Sequence, residues 1–405
     1  MVSRILLKRG KEKPVLAHHP WIFSGAIARV EDANDGDTVD VFDSVEEWLA
    51  RGYYNSRSQI AVRLWTWIRD EQVDHAWLKA RLASAVEERN GLIDPEAVNA
   101  YRIINAESDR LPGLVVDRYA DWIVVQFLTL GAEMRKKELV DILAELLEPR
   151  GIYERSDVDV REKEGLPASV GVLYGSEPPD LIETLENGFR FLVDVKRGHK
   201  TGFYLDQREN RRRVAVFQSG RRKTGALARV PEVLNVFSYT GAFGVYACAA
   251  DPNVHVINLD ASADALKLAQ ENMRLNGFET RGEFVEGDAF QVLRRYRDER
   301  RSFDTIILDP PKFVYSQSQL QSGLRGYKDI NLLALKLLKP GGLLVTFSCS
   351  GLVSGDLHQK VVFGAAVDAG QDVQIIARLL QAPDHPILLS FPESEYLKGL
   401  ICRVI

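Results

Sequence analysis

The sequence predicts an α/β chain in three parts: a small β-barrel over residues 1–73, an α+β domain over 74–190, and a doubly wound parallel sheet over 191–405. Three observations lead there. The 405 residues suffice for roughly two or three domains at ~100–200 residues each. All six tryptophans lie at or before Trp122 and all three cysteines at or after Cys248, which marks two differently built halves. After about Lys196, short apolar strands alternate with helical segments, the pattern of a parallel sheet covered by helices.

In the first part, IFSGAIARVE, DTVDVFD and IAVRLWTW cluster β-formers, and Asn34, Asp35, Gly36 and Asp37 supply a turn. A polar helix from about Asp74 to Asn90 reads as a connector. In the middle, YRIINAE, LPGLVVDRY, DWIVVQFLTL, GIYERSD and FRFLVDV read as strands. EMRKKELVDILAELLEP places its apolar residues at helical spacing. The last part offers VLNVF, HVINLD, GEFVEG, FDTIILD and GGLLVTFS as strands.

Composition excludes several classes. With 45% hydrophobic and 27% charged residues and a net charge of -5, the chain is neither disordered nor collagen-like nor a disulfide scaffold. The acidic balance argues against coating nucleic acid through bulk charge, while a local basic face stays open. Cys248, Cys349 and Cys402 are too few and too scattered for a disulfide framework or a metal knuckle, so a reducing, cytoplasmic setting is expected. His18 and His19 share no ligand spacing with any cysteine, and no metal is expected. The first residues, MVSRILLKRGKEK, are basic and lead into no apolar stretch of signal-peptide length, and no run of ~18 apolar residues occurs, so neither secretion nor a membrane partner is expected.

Ligands of doubly wound sheets bind at the carboxyl ends of the strands. The first such end runs Asn235, Val236, Phe237, Ser238, Tyr239, Thr240, Gly241, Ala242, Phe243, Gly244. Gly241 and Gly244 would let the backbone approach a ligand at a helix N-terminus. Asp260 ends the second strand nineteen positions after Gly241, near the ~20-residue offset at which a carboxylate takes ribose hydroxyls. Asp288, after the third strand, suits an exocyclic amine. The loop departs from G-x-G-x-x-G and leaves little room for a pyrophosphate, so an adenosyl group without phosphates fits better. An ordinary strand-to-helix turn would use the same glycines.

The fourth strand ends in Asp309, Pro310, Pro311, Lys312, Phe313. Two prolines stiffen the turn and fix the direction of Asp309 and of nearby carbonyls, which suits a base taken out of its stack. A proline-stopped strand with Asp309 as a turn cap accounts for the same residues. The fifth strand ends in Thr346, Phe347, Ser348, Cys349, Ser350. Cys248 and Cys402 read as core residues. Cys349, among small polar residues on the ligand edge, has the chemistry to add as thiolate to C6 of a pyrimidine and make C5 nucleophilic toward a methyl sulfonium. A base must then remove the C5 proton, and the sequence does not identify it.

On NVFSYTGAFGVYA, NLD at Asp260, EGDAF, LDPPKF and TFSCSG, the chain resembles the class I S-adenosyl-L-methionine methyltransferases. HPWIFSGAI, GHKTGFYLDQREN, RGYKDIN and YLKGLICRV extend the likeness over the full length, to the bacterial ribosomal RNA large subunit methyltransferase I family, which makes 5-methylcytosine in 23S rRNA. The resemblance implies a PUA-type RNA-binding barrel, a central α+β domain and a Rossmann-like catalytic domain. It implies that S-adenosyl-L-methionine is held by Phe237, Ser238, Tyr239, Thr240, Gly241, Asp260, Ala261, Ser262, Asp288, Ala289 and Asp309. Asp309, with Pro310, Lys312 and Phe313, would meet the base, and Cys349 would be the nucleophile. Many RNA cytosine-C5 methyltransferases carry a second cysteine three residues after the aspartate, used in product release; here Lys312 stands there.

The expected partner is 23S rRNA or a large-subunit precursor. Lys8, Arg9, Lys11 and Lys13 form one basic cluster; Arg208, Arg211, Arg212, Arg213, Arg221, Arg222 and Lys223 form another. Either serves for phosphate contacts or as a solvated face. Trp21 and Phe23 read as barrel core in preference to base-stacking residues. A homodimer through the middle domain is compatible with the sequence, which shows no diagnostic pattern for it. Two other readings stand beside cytosine-C5 methylation: a base-nitrogen methyltransferase that needs no thiol, and an RNA-binding ribosome assembly factor.

Overall fold

A computed structural model describes residues 3–220 and 230–405. The chain forms two compact units, each assembled from separate stretches: 1–185, 193–205 and 383–394 in the first, 186–192, 206–382 and 395–405 in the second. The chain therefore crosses between units several times around residue 190, where the sequence suggests a single cut. The motif GHKTGFYLDQREN is itself divided after Leu205.

The first unit contains two sheets. Six short strands between Arg4 and Thr66 form one, around a core that includes Ile5, Leu7, Val39, Val41, Val62 and Leu64. Five strands between Ala100 and Gly175 form the other. The helix His75–Asn90 starts where expected, with the Asp74 carboxylate accepting the Trp77 N–H at 2.9 Å. It does more than connect, because Trp77, Leu78, Leu82 and Ala85 are buried in the core of the five-stranded sheet.

A buried charge cluster ties these parts of the first unit together. Arg63 meets Glu107 at 2.7 Å and Glu164 at 3.1 Å. Glu107 also accepts from the Trp21 indole at 2.8 Å, and Glu164 from Ser58 at 2.7 Å and Asn55 at 3.1 Å. Trp21 is thus a packed residue, its ring 4.6 Å from that of Phe391. Phe23 is not core, being 49% exposed.

The second unit is built on a seven-stranded sheet: β1 (Glu232–Val236), β2 (His255–Asp260), β3 (Gly282–Glu286), β4 (Phe303–Leu308), β5 (Leu338–Ser348), β6 (Val373–Leu379) and β7 (Lys398–Val404). Their spatial order is β3-β2-β1-β4-β5-β7-β6. The first five read from the sequence are parallel, and β7 runs antiparallel to β5 and β6. Helices α1 (Ala242–Ala250), α2 (Ala263–Leu275), α3 (Ala289–Asp298), α4 (Leu320–Leu337) and α5 (Gly355–Ala369) connect them. The order reverses between β1 and β4, and ligands of such sheets bind in the crevice at the carboxyl ends of the strands beside that switch point.

Arg63→Ala would leave two buried carboxylates without their cation, and should lower the unfolding free energy by about 3–5 kcal/mol. Urea denaturation followed by tryptophan fluorescence checks this; an unchanged midpoint would contradict the importance given to the cluster.

Candidate active site

The loop after β1 is shaped by three left-handed residues, Phe237 (φ 59°), Tyr239 (φ 47°) and Gly241 (φ 78°). Two of them are not glycine, so the loop needs outside support. Ser238 N–H donates to the Leu259 carbonyl at 3.0 Å, and Tyr239 N–H to Asp260 Oδ2 at 2.8 Å. Asp260 Oδ1 accepts the Ser262 N–H at 3.0 Å. Asp260 thus holds the two loops that flank it, and each oxygen keeps a lone pair for a hydroxyl.

Ser238 Oγ and Thr240 Oγ1 are buried without a protein hydrogen-bond partner. Buried hydroxyls are normally satisfied, so this pair, at the entrance to α1, fits a polar ligand in the crevice. At Gly241 a Cβ would lie 2.8 Å from Ala269 Cβ, and at Gly244 it would lie 2.7 Å from Asn258 Oδ1. Gly244 therefore serves close packing of α1 on β2, and its reading as a ligand-approach residue is corrected. Asp288 is exposed and caps α3, accepting the Gln291 N–H at 2.9 Å. Ala261 is exposed, Ser262 caps α2 through the Ala265 N–H at 3.2 Å, and Ala289 is buried in the sheet's core.

Across the crevice, Asp309 Oδ2 accepts from Gln207 Nε2 at 3.0 Å. Gln207 Oε1 accepts in turn from Asn210 Nδ2 at 2.6 Å, and Asn210 also donates to the Leu380 carbonyl at 2.9 Å. Asp206 accepts from the Tyr396 hydroxyl at 2.8 Å. Asp206, Gln207 and Asn210 are all buried. Apart from Arg208, placed in a basic cluster, LDQREN stands in the sequence only as a marker of resemblance; Gln207 and Asn210 in fact set the direction of Asp309. The available signal was polar spacing on a helix next to a buried carboxylate, which no single-sequence pattern exposes.

Cys349 is half-buried, its Sγ 4.0 Å from the Pro310 carbonyl, so the proline turn and the cysteine are neighbours. Tyr327 on α4 joins the two loops. Its hydroxyl lies 3.0 Å from Ser350 Oγ and takes the Phe313 N–H at 3.5 Å, while Val314 N–H reaches Ser350 Oγ at 3.4 Å. Burial pushes the Tyr327 phenol above its usual range, which keeps it neutral. The approach of α4 needs Gly323, where a Cβ would lie 2.3 Å from the Val314 side chain. Phe313 packs its ring 4.7 Å from Tyr327 and 6.1 Å from Phe290, and the Lys312 ammonium lies 5.5 Å from the Tyr315 ring.

The basic clusters fare unevenly. Lys8, Arg9, Lys11 and Lys13 are exposed, with Lys8 Nζ on the Gly25 carbonyl at 2.9 Å. Arg208 is 3% exposed and meets Glu209 at 3.5 Å, so its reading as a surface phosphate contact is corrected. Arg211 is buried against Glu186 at 2.6 Å. Arg212 and Arg213 are exposed. Arg221, Arg222 and Lys223 lie outside the described residues. No helix among the described residues is long and apolar enough to cross a membrane.

Residues 5–67 match a PUA-like domain, and residues 120–398 match the S-adenosylmethionine-dependent methyltransferase family. The chain is 48% identical over 407 aligned positions to the ribosomal RNA large subunit methyltransferase I of Yersinia pestis bv. Antiqua (strain Angola), covering 100% of both chains. The protein of that name from Yersinia pseudotuberculosis serotype O:3 (strain YPIII) is equally similar, 48% identical with 100% of each chain covered. Among solved structures, one from Streptococcus mutans assigned as a SAM-dependent methyltransferase superposes with a TM-score of 0.84 at 21% identity, covering 100% of both chains. A second methyltransferase-assigned structure, solved in complex with SAH, gives 0.85 at 20% identity, again with 100% of each chain covered.

The three cysteines should differ in reactivity. Burial pushes Cys248 up to about 11 and Cys402 up to about 12, whereas Cys349 is partly accessible. Brief iodoacetamide treatment of the native protein near neutral pH should label Cys349 alone, as read by peptide mass spectrometry; labelling of Cys248 or Cys402 at a similar rate would contradict the burial.

Proposed function

Because the chain belongs to the ribosomal RNA large subunit methyltransferase I family, within the S-adenosylmethionine-dependent methyltransferases, we propose that it methylates C5 of a cytosine in 23S rRNA, in the cytoplasm, through a covalent bond to Cys349. The observation that supports this reading is the adjacency of Cys349 to the Asp309-Pro310 turn. An amine-directed methyltransferase would use that turn and would leave the cysteine without a role. In this reading residues 1–73 bind RNA, 74–190 form the central domain and 191–405 perform the chemistry.

When bound, S-adenosyl-L-methionine supplies an electrophilic methyl group. The Ser238 and Thr240 hydroxyls and the backbone of Phe237 to Gly241 line its place, and Asp260 offers its remaining lone pairs to the ribose. Asp309, its direction fixed by Gln207, accepts from the exocyclic amine of the base, and Pro310, Lys312 and Phe313 border the ring. Cys349, as thiolate, bonds to C6 and raises electron density at C5. Once C5 carries the methyl group, loss of its proton to a base re-forms the C5–C6 double bond and expels the thiolate.

Nucleoside mass spectrometry of 23S rRNA from cells with and without the gene tests the reaction: 5-methylcytidine should fall in the deletion, return with the wild-type gene, and stay low with Cys349→Ala. Restoration by Cys349→Ala would overturn the covalent route. Asp260→Ala should weaken cofactor binding roughly 10- to 100-fold, the worth of hydrogen bonds to a charged acceptor. Calorimetric titration measures this; an unchanged affinity would remove Asp260 from the cofactor site.

A further inference from the structure

β7 pairs antiparallel with β5 so that Lys398 lies opposite Ser348, the residue before Cys349. Lys398 is only 6% exposed, and among the described residues no carboxylate lies within ion-pair distance of it. The other buried lysine of this sheet, Lys339, has such a partner, Asp304 at 2.7 Å. Lys398 Nζ instead donates to two carbonyls, Ser350 at 3.2 Å and Tyr396 at 3.1 Å. Two N–H bonds are what a neutral amine can donate. With both spent on backbone, the remaining position on nitrogen is a lone pair or a third proton, and a buried ammonium without an anion is costly.

We propose that Lys398 is a positioning residue for methyl transfer: it takes the Cys349 thiol proton and then stands as counter-ion to the thiolate. The assignment rests on Cys349 being the nucleophile. In the step, the Sγ–H bond breaks, an Nζ–H bond forms, and the freed sulfur electron pair becomes the bond to C6 of the base.

The charged and titratable surroundings suit this exchange. Burial holds the Lys398 ammonium below the usual lysine range, Glu395 and Cys349 oppose that, and Lys312 adds to it. His358 also faces Lys398; burial pushes it down to about 4, so it is uncharged at neutral pH and does not compete for the proton. Tyr327 is held neutral. Cys349 is the thiol whose charge acts on Lys398, and it stands between the strand partner of Lys398, Ser348, and the carbonyl that Lys398 Nζ bonds, that of Ser350.

The test is the pH profile of Cys349 alkylation by iodoacetamide in the full-length protein, read by peptide mass spectrometry. Lys398→Met should slow labelling at pH 7 by roughly tenfold or more, because the thiolate fraction drops. Lys398→Arg, which keeps the positive charge, should restore most of the rate. If the Met variant does not fold, Lys398→Gln, which keeps a donor for the carbonyls without the charge, gives the same reading. A Lys398→Met or Lys398→Gln profile identical to wild type in folded protein overturns the proposal. A shifted profile combined with an active Cys349→Ala would retain the Lys398–Cys349 pair and overturn the nucleophile. An unshifted profile with an inactive Cys349→Ala would overturn only the pair.

Discussion

Parallel pairing of β4 with β5 is the constraint on which the site depends. Leu308 lies opposite Thr346 in that ladder, so the strand ending at Asp309 and the strand leading to Cys349 leave the sheet side by side. A one-residue slip would turn every β5 side chain to the other face and carry Cys349 away from the proline turn. The slip is opposed by the core: Ile306, Leu308 and Leu344 are fully buried within one cluster. Both faces of β5 are buried, so a slip would press Leu343, Leu344 and Val345 into holes shaped for other side chains, and each such misfit costs about 1–3 kcal/mol. Catalytic geometry is thus a by-product of apolar packing.

The loops themselves are set by polar links that packing cannot supply. Asp260 ties the turn after β1 to the turn after β2, Gln207 fixes Asp309, and Tyr327 joins the loops after β4 and β5. Each link comes from an element other than the loops it holds. That division of labour places the reacting groups on short loops while their directions are decided by rigid strands and helices. In the first unit, the Arg63, Glu107 and Glu164 cluster does comparable work for the PUA-like part, joining strand and loop residues far apart in sequence.

The strand ends were legible in the sequence because parallel strands buried on both faces read as apolar runs, and the residue after each run is where the polarity changes. Asp260, Asp309 and Cys349 stand out for that reason. The antiparallel strand Lys398–Val404 has no such signal, although it places Lys398 opposite Ser348, the residue before the cysteine. The basic run Arg208 to Arg213 shows the limit in another way. It looks like a solvated face, yet Arg208 and Arg211, three positions apart on one helix, are the buried members, while Arg212 and Arg213 are exposed. A buried arginine is told from an exposed one by its partner, and Glu186, partner of Arg211, lies on a hairpin whose proximity no local pattern encodes. Gly244 was misread for the same reason: its neighbour, Asn258, belongs to the next strand.

The covalent route is tested most directly with an rRNA fragment carrying 5-fluorocytidine at the modified position, incubated with protein and S-adenosyl-L-methionine. Fluorine at C5 cannot leave as a proton, so the bond between Cys349 and C6 should persist, giving a cofactor-dependent protein–RNA adduct that maps to Cys349 and is absent in Cys349→Ala. Methylation of the unfluorinated fragment without any trapped adduct, or an adduct that survives the loss of Cys349, would contradict the account.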